Sequence, residues 1–242
     1  PTMGALHAGH LKLVKESKKL KSIVVDSIFV NPTQFGPKED YKDYPRTHKN
    51  DLKDLKKYGA DIVFTPIQKQ ILSYKTKYNC PQFAIEKRLC GKSRPKYFPG
   101  VKNIVLKLFD IVKPDVAFFG EKDYQQYLVI KKMTESLKLN TRIICVKTVR
   151  DRYGLPLSSR NNYLSDQEFK IAIKINKLLK KLPPLIRTKL KINKILNHTK
   201  KVLIDHGVDK IDYLTVLNDD LSVRKKISDK SRIFIAAKIG NT

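Results

Sequence analysis

Apolar positions along this chain come in two kinds of run, and the two kinds alternate. "SIVVDSIFV" (22–30) is almost continuous and rich in β-branched residues, the pattern of a strand buried on both faces. "DLKDLKKYGA" (51–60) places its apolar residues on one face of a helix, with Gly59 as a C-terminal stop. "DIVFTP" (61–66) reads as a short buried strand ended by Pro66. Helical periodicity returns in "GVKNIVLKLFDIV" (100–112), which stops before Pro114. A strand "DVAFFG" (115–120), a helix "DYQQYLVIKKMTESL" (123–137) and a strand "TRIICV" (141–146) follow. This alternation predicts an α/β fold on a parallel, doubly wound sheet.

After about Asn161 the pattern changes. Ser165 and Glu168 form a capping-box pair that opens a Lys-rich amphipathic helix. Then come "LPPL" (182–185), a second helix near Ile192–His206, and two strand-like runs, "IDYLTVLN" (211–218) and "RIFIAAKI" (232–239). These predict a small α+β second domain, so the expected division is 1–160 and 161–242. No internal repeat or low-complexity tract interrupts either part.

Composition narrows the class. With 242 residues and 41% hydrophobic positions, the chain can bury a sizeable core, which argues against global disorder. No run approaches the roughly 18–20 consecutive apolar residues of a membrane span, and no secretory signal pattern is visible. Cys80, Cys90 and Cys145 are odd in number and widely spaced, which suits a reducing compartment and gives no redox or metal-ligand pair. A cytoplasmic location without a membrane partner is expected. Lys and Arg outnumber Asp and Glu by 50 to 23, a formal charge of +27. A polyanion partner is one reading. The charge is spread along the whole chain, however, with no recognition-helix, zinc-finger or aromatic single-strand signature beside it. It is therefore assigned to solubility and association, and no nucleic-acid partner is expected.

Four polar loops flank the buried runs. In "PTMGALHAGH" (1–10), His7 and His10 are spaced i, i+3, so one helical turn puts both imidazoles on the same face. If that turn opens a helix through Leu11, Leu13 and Val14, its free N–H groups and dipole favour a phosphate, and Gly9 allows a close approach. Such a turn suits stabilising charge on a triphosphate attacked at its α-phosphorus. Chance alone yields His-x-Gly-His in a chain of this size about once in a hundred. No Walker loop and no G-x-G-x-x-G follows a strand, which disfavours P-loop enzymes and dinucleotide dehydrogenases. "FVNPTQFGPKEDYKDYPRT" (29–47) places Asn31, Gln34 and Tyr44 beyond a strand's carboxyl end, where sheets of this kind bind ligands. Ordinary turn chemistry at Asn31-Pro32 and Gly36-Pro37 explains the same residues. In "FFGEKDYQQYLVI" (118–130), Lys122 suits a phosphate and Asp123 a ribose or metal ion, while Asp123 with Gln126 also reads as a helix cap. "GLPLSSRNNYLS" (154–165) offers Ser158, Ser159 and Arg160 to a pyrophosphate. Arg94 in "KSRPKYFPGV" is a candidate carboxylate ligand.

In this order and spacing, "PTMGALHAGH", "SIFVNPTQFGPKEDYKDYPRT", "KLFDIVKPDVAFFGEKDYQQYLVI" and "TVRDRYGLPLSSRNNYLS" closely resemble the pantoate–β-alanine ligase family, a branch of the His-x-Gly-His nucleotidylyltransferases. The resemblance runs from Pro1 to about Ser165 and more weakly through "DYLTVL" and "RIFIAAKIG". It implies a Rossmann-like domain with a small C-terminal lid domain, usually as a homodimer. The implied reaction joins (R)-pantoate to β-alanine with ATP and Mg²⁺, through an enzyme-bound pantoyl adenylate, releasing pyrophosphate and AMP. By the same resemblance Met3, Gly4, Ala5, Leu6, His7, Ala8, Gly9 and His10 form the first ATP segment. Gly120, Glu121, Lys122, Asp123, Val149, Leu157, Ser158, Ser159 and Arg160 match its remaining ATP contacts. His10, His7 and Lys122 are the implied catalytic residues, with Lys122, Ser158 and Arg160 on the phosphates and His10 at a position usually assigned as proton donor. Gln34 and Gln126 match the pantoate-binding glutamines, Gln34 also lying near β-alanine. Metal ligands are not assigned.

Three departures stand out: Tyr97 where the family usually carries His, Asn103 in place of Thr, and Pro156 in place of Ala. Family members also carry a first parallel strand before "PTMG" and a final segment after "AAKIGNT", so both are expected to be missing here. Two other readings remain. A related adenylyltransferase that stops at a nucleotide product is opposed by "NPTQF" and "KDYQQ". A basic nucleic-acid-binding protein on an inactive fold would show salt-sensitive DNA binding without turnover.

Overall fold

Through Val146 the near-continuous apolar runs become strands and the one-faced runs become helices. The computed structural model describes residues 1–37, 39–187, 192–223 and 230–242, in two units, Pro1–Val149 and Arg150–Thr242. The division falls at the entry to the "DRYGLPLSSR" loop, ahead of the 160/161 position expected from the pattern.

The first unit runs α1 (Ala8–Lys18), β1 (Val25–Ser27), α2 (His48–Tyr58), β2 (Ile62–Phe64), α3 (Gln68–Ser73), α4 (Cys90–Ser93), α5 (Tyr97–Val112), β3 (Val116–Gly120), α6 (Tyr124–Ser136) and β4 (Arg142–Val146). β1 and β2 pair in parallel from Val25–Ile62 to Ser27–Phe64, and β3 and β4 from Val116–Arg142 to Gly120–Val146. A helix crosses between the strands of each pair, as parallel pairing requires. The α/β class with parallel strands is as expected, although among the described residues the strands pair two and two rather than in one sheet.

Two strands differ from their sequence patterns. β1 is shorter than the 22–30 run: Ile23 is 73% exposed, and Ile28, whose N–H donates to the Phe64 carbonyl (3.0 Å), bridges in parallel to Thr2. There the Thr2 N–H donates to the Ser27 carbonyl (2.8 Å) and the Phe29 N–H to the Thr2 carbonyl (3.0 Å). β2 has Ile62 half exposed, so it is not buried on both faces.

Helix ends follow backbone chemistry. α2 begins at His48, three residues before the periodic run, and stops where Gly59 takes a left-handed φ of 89° and bonds back to Leu55 and Lys56 carbonyls. α5 ends at Lys113, also left-handed, just before Pro114. Its Val101, Val105 and Leu108 pack with Ala117 and Phe119 of β3 and with Ile130 and Met133 of α6. Each such burial contributes roughly 1.5–3 kcal/mol, and this core fixes the carboxyl end of β3.

In the second unit, Ser165 and Glu168 close the expected capping box: Ser165 N–H donates to Glu168 Oε2 (2.7 Å), and Glu168 N–H to Ser165 Oγ (3.3 Å). They open α7 (Asp166–Arg187), which runs on through Pro183 and Pro184. Just before the prolines, Leu182 is buried against Leu196 and Leu214. α8 (Ile192–Asp205) packs on an antiparallel pair, β5 (Lys210–Asn218) and β6 (Ser231–Lys238), whose register shifts at Ile211/Tyr213. No helix of the described residues is long and apolar enough to cross a membrane.

Candidate active site

His7 is the N-cap of α1, and its ring is part of the cap. The Gly9 N–H donates to His7 Nδ1 (3.0 Å), and the His7 N–H reaches back to His10 Nδ1 (3.4 Å), a reciprocal box made by two imidazoles. Their ring centroids lie 4.1 Å apart. Since both Nδ1 atoms accept, the neutral rings carry their proton on Nε2 and present Nε2–H as a donor. Burial, then the Lys122 charge, pushes the His7 pKa down to about 4, with Asp123 opposing. Burial pushes His10 down to about 3, helped by His7 and opposed by Asp123. Both rings are therefore held toward the neutral form.

The turn before α1 is held from a distance. Asp51, buried in the first turn of α2, accepts the Ala5 N–H (3.0 Å), the Leu6 N–H (2.9 Å) and the Thr47 hydroxyl (3.0 Å). Ala5 has a left-handed φ of 50°, and Gly4 one of 79°. A Cβ on Gly4 would meet Asp51 Oδ2 at 2.9 Å, so only glycine lets the carboxylate come this close.

At the end of β3, a short 3-10 turn (Glu121–Asp123) carries Lys122 and Asp123 to the same histidines, whose titration both groups bias. Their Nζ and Oδ1 atoms are 3.6 Å apart, and both side chains are accessible. The expected capping by Asp123 is not observed: it makes no side-chain cap bond to α6. Glu121 instead accepts the Thr148 N–H (3.3 Å), tying the turn to the chain beyond β4. A Cβ at Gly120 would meet nothing within 4 Å, so this approach is open.

Both candidate glutamines sit on one contact chain. Gln34 Nε2 donates to Met3 Sδ (3.0 Å), and Gln34 Oε1 accepts from Asn31 Nδ2 (3.1 Å). Arg94 donates to the Gln34 carbonyl (3.2 Å), pairs with both Glu39 oxygens and lies 4.0 Å over the Tyr97 ring. The Tyr97 hydroxyl donates to Gln126 Oε1 (2.9 Å). Gly100 lets α5 abut the 32–34 turn, because a Cβ there would meet the Thr33 carbonyl oxygen at 2.3 Å.

In the second unit, Ser158 Oγ accepts the Arg160 N–H (3.3 Å) as the cap of a 3-10 turn (Ser159–Tyr163) in which Ser159 is buried. Asn161 Nδ2 donates to the Pro156 carbonyl (2.9 Å), and Thr242 Oγ1 to the Arg160 carbonyl (3.3 Å). The loop from Leu157 to Arg160 is thus internally braced.

A family model described as pantoate-beta-alanine ligase matches residues 1–242. The chain belongs to this family. It is 42% identical over 241 residues to a Thermosipho africanus pantothenate synthetase, covering 99% of this chain and 87% of that protein. Among solved structures, pantothenate synthetase from Thermus thermophilus superposes with a TM-score of 0.91 at 34% identity, over 99% of this chain and 87% of the other. Pantoate–β-alanine ligase from Francisella tularensis, in complex with β-γ ATP and β-alanine, gives 0.82 at 37% identity, over 100% and 84%.

Within the pantoate–β-alanine ligase family frame, the first unit brings His7, His10, Lys122 and Asp123 together and links Met3 to Gln34. Val149 ends that unit, while Leu157, Ser158, Ser159 and Arg160 belong to the second. Three sequence candidates make contacts within the chain. Asn31 is 1% exposed and spends its amide on Thr33, Gln34 and the Gly100 carbonyl. Tyr44 is buried with its ring edge-on to Phe35. Arg94 finds its carboxylate within the chain, in Glu39. Conversely, Asp51 escapes the sequence reading, where it is merely an acidic residue at the start of an amphipathic run. Its proximity to Thr47 is the sole local signal.

Proposed function

We propose that this chain joins pantoate to β-alanine through a pantoyl adenylate, using ATP. The pantoate carboxylate attacks the α-phosphorus, forming a P–O bond as the bond to pyrophosphate breaks. The resulting mixed anhydride then takes the β-alanine amine at its carbonyl carbon, an amide forms, a proton leaves the nitrogen, and AMP departs. A free carboxylate is a poor acyl donor, and adenylation supplies the leaving group.

The observation that carries this reading is the cap of α1. With both Nδ1 atoms engaged by backbone N–H groups, His7 and His10 present two preset Nε2–H donors at a helix N-terminus, where a phosphate is favoured. As the bond to the leaving group breaks, charge grows on phosphate oxygens, and fixed donors stabilise it without reorganising. On this reading Lys122 adds a mobile cation. Met3, Gly4, Ala5, Leu6, Ala8, Gly9, Gly120, Glu121, Val149, Leu157, Ser158, Ser159 and Arg160 are carried over from the family motif as ATP contacts. Gln34 and Gln126 hold pantoate.

Among the described residues no group of three or more His, Cys, Asp or Glu side chains is arranged as a metal cage. That fits a Mg²⁺ that keeps waters and phosphate oxygens as most of its ligands. On this reading Asp123, accessible beside Lys122, is the carboxylate that would hold it. When bound, the ion neutralises charge on the phosphate oxygens. A homodimer and a cytoplasmic location complete this reading.

Pantoate-dependent exchange of labelled pyrophosphate into ATP, without β-alanine, tests the adenylate. Exchange is expected with pantoate and absent without it. Exchange that ignores pantoate, or that never occurs, would overturn the reading.

A further inference from the structure

Tyr97 stands between a fixed cation and a candidate substrate amide. Its ring packs under the Arg94 guanidinium (4.0 Å), its edge meets Phe98 (4.9 Å between centroids), and its hydroxyl donates to Gln126 Oε1 (2.9 Å). Arg94 is itself held by both oxygens of Glu39 and by the Gln34 carbonyl. The ring therefore cannot swing without losing its stacking on a guanidinium that also braces the first glutamine. Tyr97 is the first residue of α5, and Gln126 lies in the first turn of α6, two helices packed in one core.

An amide side chain has two faces of opposite character, and rotating it by half a turn exchanges them. With Oε1 committed to the tyrosine hydroxyl, Gln126 offers a ligand its Nε2 donors. Donors suit the carboxylate and hydroxyl oxygens of a hydroxy acid and reject a cationic amine at the same place.

From this geometry we propose that Tyr97 is a positioning residue that sets the orientation of Gln126 and so presents its Nε2 donors to the oxygens of the hydroxy-acid substrate. The inference rests on the reading of Gln126 as a pantoate ligand. Tyr97 touches no reacting atom, so its effect belongs to binding of one substrate and leaves ATP binding and the chemical steps alone.

Steady-state kinetics of the full chain test this. Tyr97→Phe keeps the ring and its stacking and removes only the hydroxyl. KM for pantoate is expected to rise about tenfold, the scale of one lost oriented hydrogen bond. KM for ATP and kcat should stay within about twofold. Gln126→Glu, which presents acceptor oxygens in place of the Nε2 donors, should raise KM for pantoate at least as much. In a Gln126→Ala background, Tyr97→Phe should add nothing, because the group it orients is gone.

An unchanged KM for pantoate in Tyr97→Phe, an equal rise for ATP, or the same added effect in Gln126→Ala would each overturn the proposal. Should Tyr97→Phe fold poorly, Gln126→Glu decides alone: a rise of about tenfold or more in KM for pantoate supports the donor face that Tyr97 sets, and an unchanged KM overturns it. Turnover by the unsubstituted chain separates the two levels. Its absence overturns the ligase reading and this proposal together, whereas turnover with an unresponsive Tyr97→Phe overturns the proposal alone.

Discussion

Two imidazoles whose Nδ1 atoms cap a helix and whose Nε2–H groups, on the proposed reading, serve the triphosphate combine scaffold and donor in one pair. Removing either Nε2 donor should cost what the loss of a preorganised donor to a developing anion usually costs. His10→Ala is expected to lower turnover at least about 100-fold, read as AMP release at saturating substrates, and a near-original rate would contradict the role. The same pair makes stability depend on pH. Because folding depresses both pKa values, to about 4 and about 3, the unfolded chain takes up protons first as pH falls. The stability held by the neutral rings is complete above about 6.5, the ordinary histidine value, and is lost progressively as pH drops through the folded values. The urea midpoint should therefore fall less between pH 7 and pH 4.5 in a His7→Gln, His10→Gln double variant than in the original chain; an equal fall would place the acid sensitivity elsewhere. At this scale "HAGH" was legible from sequence because its spacing and its helix are local. The Nε2–H tautomer was not, since it follows from which backbone N–H each Nδ1 accepts.

Between elements, contacts distant in sequence set the site. α2 reaches back through Asp51 to hold the turn before α1, although the partners lie 45 and 46 residues away. Asp51→Ala would strand two backbone donors next to a strained Ala5. It should destabilise the first unit by about 2 kcal/mol or more and lower kcat/KM for ATP; Asp51→Asn, which keeps one acceptor oxygen, should lose less. Denaturant unfolding and initial rates on the three proteins check this order. Gly100→Ala should behave similarly at the other substrate, since its Cβ would collide with backbone of the 32–34 turn. A loss of about 1–3 kcal/mol with a raised KM for pantoate is expected. The sequence pattern located α2 and α5 to within three residues at their starts, because apolar spacing and a Gly or Pro stop are local signals. It could not tell that Asn31, Tyr44 and Arg94 contact Gly100, Phe35 and Glu39. Polar side chains near a strand end look alike until their long-range partners are known.

At the level of the whole molecule, the α/β class with parallel strands and the family were both readable from the alternation of runs and the ordered motifs. The pairing of strands two and two, and the helix that continues through Pro183 and Pro184, were not readable from any local window. The +27 charge is spread rather than gathered, so binding to duplex DNA should be weak, fall steeply with salt and leave turnover unchanged when screened at about 0.2 M. Tight binding that survives this salt and inhibits the reaction would contradict that assignment. The central claim is amide formation through an adenylate, and the product stoichiometry of the full chain tests it most directly. With ATP, Mg²⁺, pantoate and β-alanine, AMP, pyrophosphate and pantothenate should form in equal amounts, and sustained turnover should require both co-substrates. ADP as the nucleotide product, or AMP release that continues at the same rate without β-alanine, would contradict it.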